Sequence, residues 1–191
     1  MRNDFSSRNV RQRALVAATE MLQEEGWAAL SVRAIAKRAR IGASSIYHHF
    51  PNKEALLLRI AIRGFKLLAG EIENSAKGEV GIAPFTGASR AFLNHVAEEP
   101  ALHDLMFNRH LLSSHQELRD AEREAFTAFA KKIEGDPRFP PDLSIAIATT
   151  MWTLGRGLAA TILSNPDHEL PVELRLQIAK GLAYLIERQS G

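Results

Sequence analysis

The residues best suited to recognising another molecule lie at positions 43–49, which read Ala-Ser-Ser-Ile-Tyr-His-His. Serine, tyrosine and histidine side chains donate or accept hydrogen bonds, and an alanine methyl group can contact another methyl. Ile46 and Phe50 are four residues apart, so on a helix they share one face and leave the polar residues on the other. A helix with such small polar side chains fits the major groove of DNA, about 12 Å wide, and reaches the base edges. This stretch predicts a recognition helix for double-stranded DNA.

The residues just before it predict a second short helix, which would position the first. Its apolar residues recur at the spacing of one helical face: Val32, Ile35, Ala36 and Ala39. Ser31 is a suitable N-cap for this helix. Gly42 begins the recognition helix, and Pro51 ends it because proline has no amide hydrogen to donate. Two short helices joined by a tight turn form a helix-turn-helix.

An upstream helix should complete a three-helix unit. It is predicted over Arg8–Glu25, with Gly26 at the position where glycine commonly ends a helix. Its apolar face consists of Ala14, Ala17, Ala18, Met21 and Leu22. Trp27 and Leu30 are expected to pack against the helix-turn-helix, and residues 1–7, which show no periodicity, are expected to be disordered.

The runs Ser31-Val-Arg-Ala-Ile-Ala and Ser45-Ile-Tyr-His-His-Phe-Pro-Asn-Lys-Glu-Ala-Leu57, with Ile41 between them, resemble the DNA-binding domain of the tetracycline-repressor (TetR) family of bacterial regulators. The resemblance covers about residues 8–60 and includes the restrictive arrangement Tyr47-x-His49-Phe50-x-x-Lys53. It implies that Tyr47, His49 and Lys53 contact phosphates. It also implies base contacts from four residues: Ala43, Ser44, Ser45 and His48. Three further residues complete the predicted DNA-contact set: Ser31, Arg33 and Arg40.

The sequence departs from the family at two neighbouring positions. Arg40 stands where the family usually has the glycine of the turn, so it must adopt a conformation that is costly for a residue with a Cβ atom. Gly42 stands where a serine-like cap is usual. Lys53 is also notable, because a cation in the first turn opposes the helix dipole. Either a bound phosphate compensates it there, or the lysine is simply solvated.

Charge is distributed unevenly along the 191 residues. Residues 1–55 contain nine Lys and Arg against five Asp and Glu, whereas the rest contains fifteen against seventeen. The basic N-terminal part therefore favours a polyanionic partner. The chain has no cysteine and its start lacks the apolar core of a signal peptide, so we expect a cytoplasmic protein. Residues 143–163 are apolar, but Arg156 within them argues against a membrane span.

Helical periodicity continues to the end of the chain, which predicts an all-α fold. Helices are predicted at about 52–75, 84–98, 115–134, 142–164 and 171–189, with a further segment from Pro100 to Leu112. We expect residues 1–51 to form the DNA-binding domain and residues 52–191 to form an effector-binding and dimerisation domain. The last two helices are apolar on more than one side, and one subunit cannot easily cover both. They predict a homodimer interface formed by Leu154, Leu158, Ile162, Leu174, Ile178, Leu182 and Leu185.

No residues suggest catalysis. The chain has no glycine-rich phosphate loop, no Gly-x-Ser-x-Gly motif and no His-Glu-x-x-His motif. Several possible metal ligands occur, namely His95, His103, Asp104, His110 and His115, but no two histidines are three or four residues apart on a helix. We therefore expect neither an enzyme nor a metal or cofactor site.

The C-terminal domain could hold a small molecule. Its aromatic and methionine residues are typical of ligand pockets, although at helical spacing they also suit a plain core. The predicted pocket residues are Phe92, Met106, Phe107, Phe126, Trp152 and Arg156. Arg156 is the only full charge within residues 143–163. As a buried charge it would need either a salt-bridge partner on another helix or an anionic effector, and otherwise it would extend to solvent at the edge of the dimer.

Together these patterns predict a ligand-responsive transcriptional regulator. A small-molecule effector would bind the C-terminal domain and cause the homodimer to release a near-palindromic operator, which describes a repressor. The alternative is a DNA-binding module whose C-terminal domain binds another protein and has no small-molecule effector.

Overall fold

The computed structural model describes residues 2–75, 83–165 and 167–187, and these ranges contain helices and no β-strand. The helices in chain order are α1 (Arg2–Ala29), α2 (Val32–Ala39), α3 (Ala43–His49), α4 (Lys53–Asn74), α5 (Pro84–Glu98), α6 (Pro100–Met106), α7 (Arg109–Ser114), α8 (Gln116–Glu134), α9 (Ser144–Ser164) and α10 (Val172–Glu187). A 3₁₀ turn, Pro141–Leu143, precedes α9. The predicted all-α class is confirmed.

Helix α1 differs from the prediction at its start. It begins at Arg2, so the expectation that residues 1–7 are disordered is wrong for the residues that the structure describes. No proline or glycine occurs before Gly26, so no residue type there interrupts the helix. Gly26 does interrupt it, with φ of 75° and ψ of 165°, as its position predicts. Only a residue without a Cβ atom adopts this region freely.

The segment after α5 is two helices where one segment was predicted. Helix α6 ends at Met106, and the side chain of Asn108 accepts a hydrogen bond of 3.1 Å from the amide of Leu111. This N-cap satisfies an amide of the first turn of α7 and marks the start of that helix. The connection between the helices predicted at 52–75 and 84–98 lies mostly outside the described residues, since residues 76–82 are not described.

The helices group into two compact units. The first contains Met1–Leu67 and Glu99–Glu122, and the second contains Leu68–Glu98 and Arg123–Gly191. Helices α4 and α8 therefore contribute residues to both units. The predicted division between residues 51 and 52 is a functional one, and it stays a prediction.

The second unit contains a buried carboxylate that links two helices through a loop. Asp136, 1% exposed, lies just after α8, and its Oδ2 accepts a hydrogen bond of 3.1 Å from the Phe85 amide in the first turn of α5. Arg138 donates to the same carboxylate from Nε at 2.9 Å and from Nη2 at 2.7 Å. Burial raises the pKa of Asp136, but the hydrogen bonds from Arg138 and Phe85 outweigh burial and hold the pKa below its usual value. Asp136 thus caps α5 from a position 51 residues later.

Candidate DNA-binding site

Helix α2 forms as its sequence predicts. The hydroxyl of Ser31 accepts a hydrogen bond of 3.1 Å from the amide of Ala34, which satisfies one amide of the first turn. The residues predicted to face inward are all buried: Val32, Ile35, Ala36 and Ala39. Arg38 points back toward α1 and forms an ion pair with Glu24. Ser31 and Arg33 are exposed, so both remain accessible to a partner.

Helix α3 presents the predicted polar face. Ile46 is fully buried and Phe50, its C-cap, is 2% exposed, so these two side chains fix the helix to the core. On the other side, Tyr47 is 50% exposed, and Ser44 and His48 are exposed as well. The other residues of α3 that are predicted to contact DNA are half-buried: Ala43, Ser45 and His49. The accessible surface of α3 therefore consists of hydroxyl, imidazole and methyl groups.

The turn between α2 and α3 has the conformation that the sequence predicts for position 40. Arg40 is the C-cap of α2, with φ of 53° and ψ of 47°, in the left-handed region. Its amide donates to the carbonyls of Ala36 and Lys37. The guanidinium of Arg13 on α1 donates from Nη2 to the carbonyl of Ala39 at 2.6 Å and to that of Arg40 at 3.1 Å. No role could be predicted for Arg13 from the sequence, because its contacts lie 26 and 27 residues away.

Lys53 has a partner that the sequence did not suggest. Its Nζ donates a hydrogen bond of 3.0 Å to the carbonyl of Ala28 near the end of α1. This bond within the chain corrects the interpretation that the lysine is simply solvated, and its phosphate contact stays a prediction. Asn52 caps α4, and its side chain accepts a hydrogen bond of 2.8 Å from the amide of Ala55. Because an ammonium group has three donors, Lys53 keeps capacity for a phosphate oxygen.

Trp27 is half-buried, and its indole makes a contact outside the helix-turn-helix. Its Nε1 donates a hydrogen bond of 2.7 Å to Oδ2 of Asp104 on α6. Leu30, 2% exposed, is buried as expected. The bond from Trp27 to α6 was not predicted, and the packing of its ring against the helix-turn-helix stays a prediction.

Glu54, in the first turn of α4, has two histidine neighbours. Its Oε1 lies 2.6 Å from Nε2 of His115, and its Oε2 lies 3.6 Å from Nε2 of His110. The hydrogen bond from His115 is the main cause that lowers the pKa of Glu54. In the described part of the chain, no group of three or more His, Asp and Glu residues is arranged to hold a metal ion.

The six predicted pocket residues are divided between the two units, and their assignment to one pocket stays a prediction. Trp152 packs against Phe92 and Phe126 in the second unit, with ring centroids 5.3 and 5.8 Å apart. Met106 and Phe107 belong to the first unit, where the Phe107 ring lies 5.1 Å from that of Phe65. These residues contribute to two different cores.

Arg156 is exposed, so the expectation of a buried charge is wrong. The buried residues of α9 are Ala148, Trp152, Ala159 and Ile162. Position 155, the next on this stripe, is Gly155, where a Cβ atom would lie 3.4 Å from the ring of Phe92. A residue one position further is rotated by about 100° and leaves the buried stripe.

An open polar cleft, not predicted from the sequence, lies between α4 and α5. Its volume is about 290 Å³, and its lining includes Glu71, Arg90, Asn94 and His95. His95 is buried and its Nδ1 lies 3.0 Å from Oε2 of Glu71. None of the six predicted pocket residues lines this cleft.

The predicted dimer residues differ in how far they are exposed in the single chain. Leu154 and Leu174 are exposed, and Leu158 and Ile178 are half-buried. Ile162 is 5% exposed and belongs to the core of its own chain, so its assignment to the interface is wrong. The side chains of the other two, Leu182 and Leu185, lie outside the described part of the structure.

Comparison with known proteins agrees with this geometry. The sequence pattern of the family "Bacterial regulatory proteins, tetR family" matches residues 14–60. The HTH-type transcriptional regulator UidR of Escherichia coli K12 is 42% identical over 53 residues, which are 28% of this chain and 27% of that protein. The chain thus aligns with about a quarter of the length of this curated relative.

Two solved structures share the fold over nearly the whole chain. A protein of unknown function from Rhodococcus sp. RHA1 has a TM-score of 0.76 at 20% identity, covering 94% of both chains. A regulatory protein of the tetR family from Rhodococcus RHA1 has a TM-score of 0.63 at 22% identity, covering 95% of this chain and 97% of its own. No helix in the described ranges is both long and apolar enough to cross a membrane. Residues 14–60 of the chain are thus similar to the tetR family of bacterial regulatory proteins.

Proposed function

We propose that the protein is a DNA-binding transcriptional regulator that uses α3 as its recognition helix. The observation that supports this most directly is the division of α3 into a buried side, Ile46 and Phe50, and an accessible side of small polar groups. A helix held in this way can enter a major groove without losing its contacts to the protein core. The basic N-terminal segment and the family match point in the same direction. The bacterial cytoplasm, where operator DNA lies, is the proposed place of action.

The test begins by selecting bound sequences from a random DNA library and measuring affinity as a function of salt. Lys53→Ala is expected to weaken binding to all sequences alike and to lower the salt slope by about one, as loss of a phosphate contact does. Ser45→Ala and His48→Ala are expected instead to change the preference between sequences, because they face bases. Lys66→Ala, on the exposed side of the same helix as Lys53, is the matched control and should leave the slope unchanged. If no sequence is enriched, or if Lys66→Ala has the same effect as Lys53→Ala, the proposed DNA surface is wrong.

We also propose that the protein acts as a homodimer through α9 and α10. Several large apolar side chains on these helices are exposed in the single chain, among them Ile145 at 63% and Leu176 at 54%. Burial of such a surface against a second copy is favourable at about 25 cal/mol per Å². A two-fold dimer would place two α3 helices on half-sites about 34–36 Å apart, or a multiple of this, on a near-palindromic operator.

Native mass spectrometry of the purified protein is expected to show twice the chain mass. The double variant Leu154→Glu with Leu174→Glu should be monomeric, because dimerisation would bury two carboxylates per chain without partners. Leu67→Glu is the control, since Leu67 on α4 is 45% exposed, close to the 39% of Leu154. A wild-type monomer, or equal dissociation by the control variant, would contradict the proposed interface.

We further propose that a small-molecule effector makes the dimer release its operator, so that the protein is a repressor. Two features of the second unit support an effector site: the aromatic cluster around Trp152 and the polar cleft that includes Glu71. Helix α4 carries Lys53 in its first turn and Glu71 near its end, about 27 Å further along at 1.5 Å per residue. An effector that binds two states of the protein unequally would shift the balance between them. Equal operator binding with and without a saturating ligand would exclude induction by that ligand.

A further inference from the structure

The turn that joins α2 to α3 contains one residue in a left-handed conformation, and that residue is an arginine, not a glycine. Arg40 lies in the left-handed region, which glycine adopts freely and other residues adopt at a cost. The amide of Ile41 donates to the carbonyl of Ala36 at 3.0 Å, so the turn closes α2 in the manner of a glycine-type cap. The conformation is therefore one that neighbouring groups must maintain.

Arg13 is the group placed to maintain it. Its Nη2 reaches two successive carbonyls of the turn, those of Ala39 and Arg40. The last carbonyls of a helix have no partner within the helix, and a cation there also interacts favourably with the helix dipole. Arg13 comes from α1, so a single side chain connects α1 to the turn from which α3 begins.

We propose that Arg13 is a positioning residue for the recognition helix, because it holds the Arg40 turn in the left-handed conformation and so fixes α3 relative to α1. This inference rests on the proposed DNA-binding function. It assigns Arg13 no contact with DNA. Its effect on recognition passes through the backbone of the turn.

The experiment compares Arg13→Met with Arg11→Met, a neighbouring exposed arginine of α1. Arg13→Met is expected to lower affinity for the selected DNA about tenfold more than affinity for unrelated DNA, with the salt slope unchanged. Arg11→Met should leave the ratio of the two affinities, for selected and for unrelated DNA, unchanged. Equal losses on both DNAs, together with a slope lower by about one, would identify Arg13 as a phosphate contact and overturn the inference.

The role of the turn is tested by adding Arg40→Gly, which removes the conformational cost. In the Arg40→Gly background, Arg13→Met is expected to reduce the affinity ratio by less than about threefold, because glycine holds the turn without help. A full tenfold loss in that background would overturn the inference. Arg13→Lys keeps the charge but lacks the planar guanidinium group with its several donors. Its affinity ratio should lie between those of wild type and Arg13→Met.

Thermal unfolding separates this inference from the DNA-binding proposal. Arg13→Met should lower the Tm by roughly 3 °C in the wild-type background and by clearly less in the Arg40→Gly background. If no DNA is selected but this coupling is present, the proposed function fails and the positioning role of Arg13 in the turn is retained. Additive Tm changes would overturn the positioning role, whatever the result with DNA.

Discussion

Asp136→Asn is expected to lower the free energy of unfolding by about 3 kcal/mol at neutral pH. The wild-type carboxylate accepts bonds from Arg138 and from the Phe85 amide while almost fully buried. Asparagine has the same shape, but its amide group would direct hydrogen atoms at one of these donors. Urea unfolding of both proteins measures the difference. Asp142→Asn is the control, because Asp142 is exposed, and its effect should stay within about 0.5 kcal/mol.

The same pair of proteins gives a pH prediction with a definite sign. The pKa of Asp136 is lower in the folded state, so its carboxylate stabilises the fold fully above the ordinary aspartate pKa, about 3.9. This contribution is lost as the pH falls through the lowered folded pKa. The difference between wild type and Asp136→Asn should therefore be constant from pH 7 to about 5 and shrink below pH 4. A difference that persists unchanged at pH 2.5 would show that charge is not its cause.

Gly64→Leu is expected to destabilise the protein by about 3 kcal/mol, because α4 has no space for a side chain at this position. A Cβ atom at Gly64 would lie 2.5 Å from the sulfur of Met106 and 3.1 Å from a methyl carbon of Leu102. Met106 is itself fully buried, so it cannot move into solvent. Chemical denaturation measures the loss.

The same helix supplies the control. Nothing lies within 4 Å of a Cβ atom at Gly70, so Gly70→Leu should stabilise α4 by about 0.5–1 kcal/mol through helix propensity. The double variant Gly64→Leu with Met106→Ala exchanges a small and a large residue across the contact. Its loss of unfolding free energy should be smaller than the sum of the losses in the two single variants by at least about 1 kcal/mol. Additive effects, or equal effects at both glycines, would show that Met106 is not the reason why a side chain at position 64 destabilises the protein.

Features determined by neighbouring residues could be predicted from the sequence. The buried face of α2, the Ser31 cap and the left-handed turn at Arg40 each depend on residues within one or two helical turns. The same holds for Ile46 and Phe50, whose spacing alone identifies the inner side of α3. These local rules were sufficient for the candidate site because a helix-turn-helix is itself a local structure.

Contacts between distant residues could not be predicted. Arg13, Trp27 and Asp136 each bond to groups between 26 and 77 residues away, and which groups meet depends on how the helices pack. Arg156 shows a different difficulty. Its helix is apolar on nearly every side, so the sequence could not indicate which side is buried within one chain.

The positions of the two tryptophans have a consequence for optical spectroscopy. The chain contains two, Trp27 in the first unit and Trp152 in the second, so each unit has its own intrinsic fluorophore. Trp27 is half-buried and hydrogen-bonded to a carboxylate, whereas Trp152 is enclosed by aromatic rings. The emission of Trp152 should therefore lie at shorter wavelength than that of Trp27. Replacing one of them by phenylalanine leaves a single fluorophore, whose emission reports on the first unit or on the second unit separately.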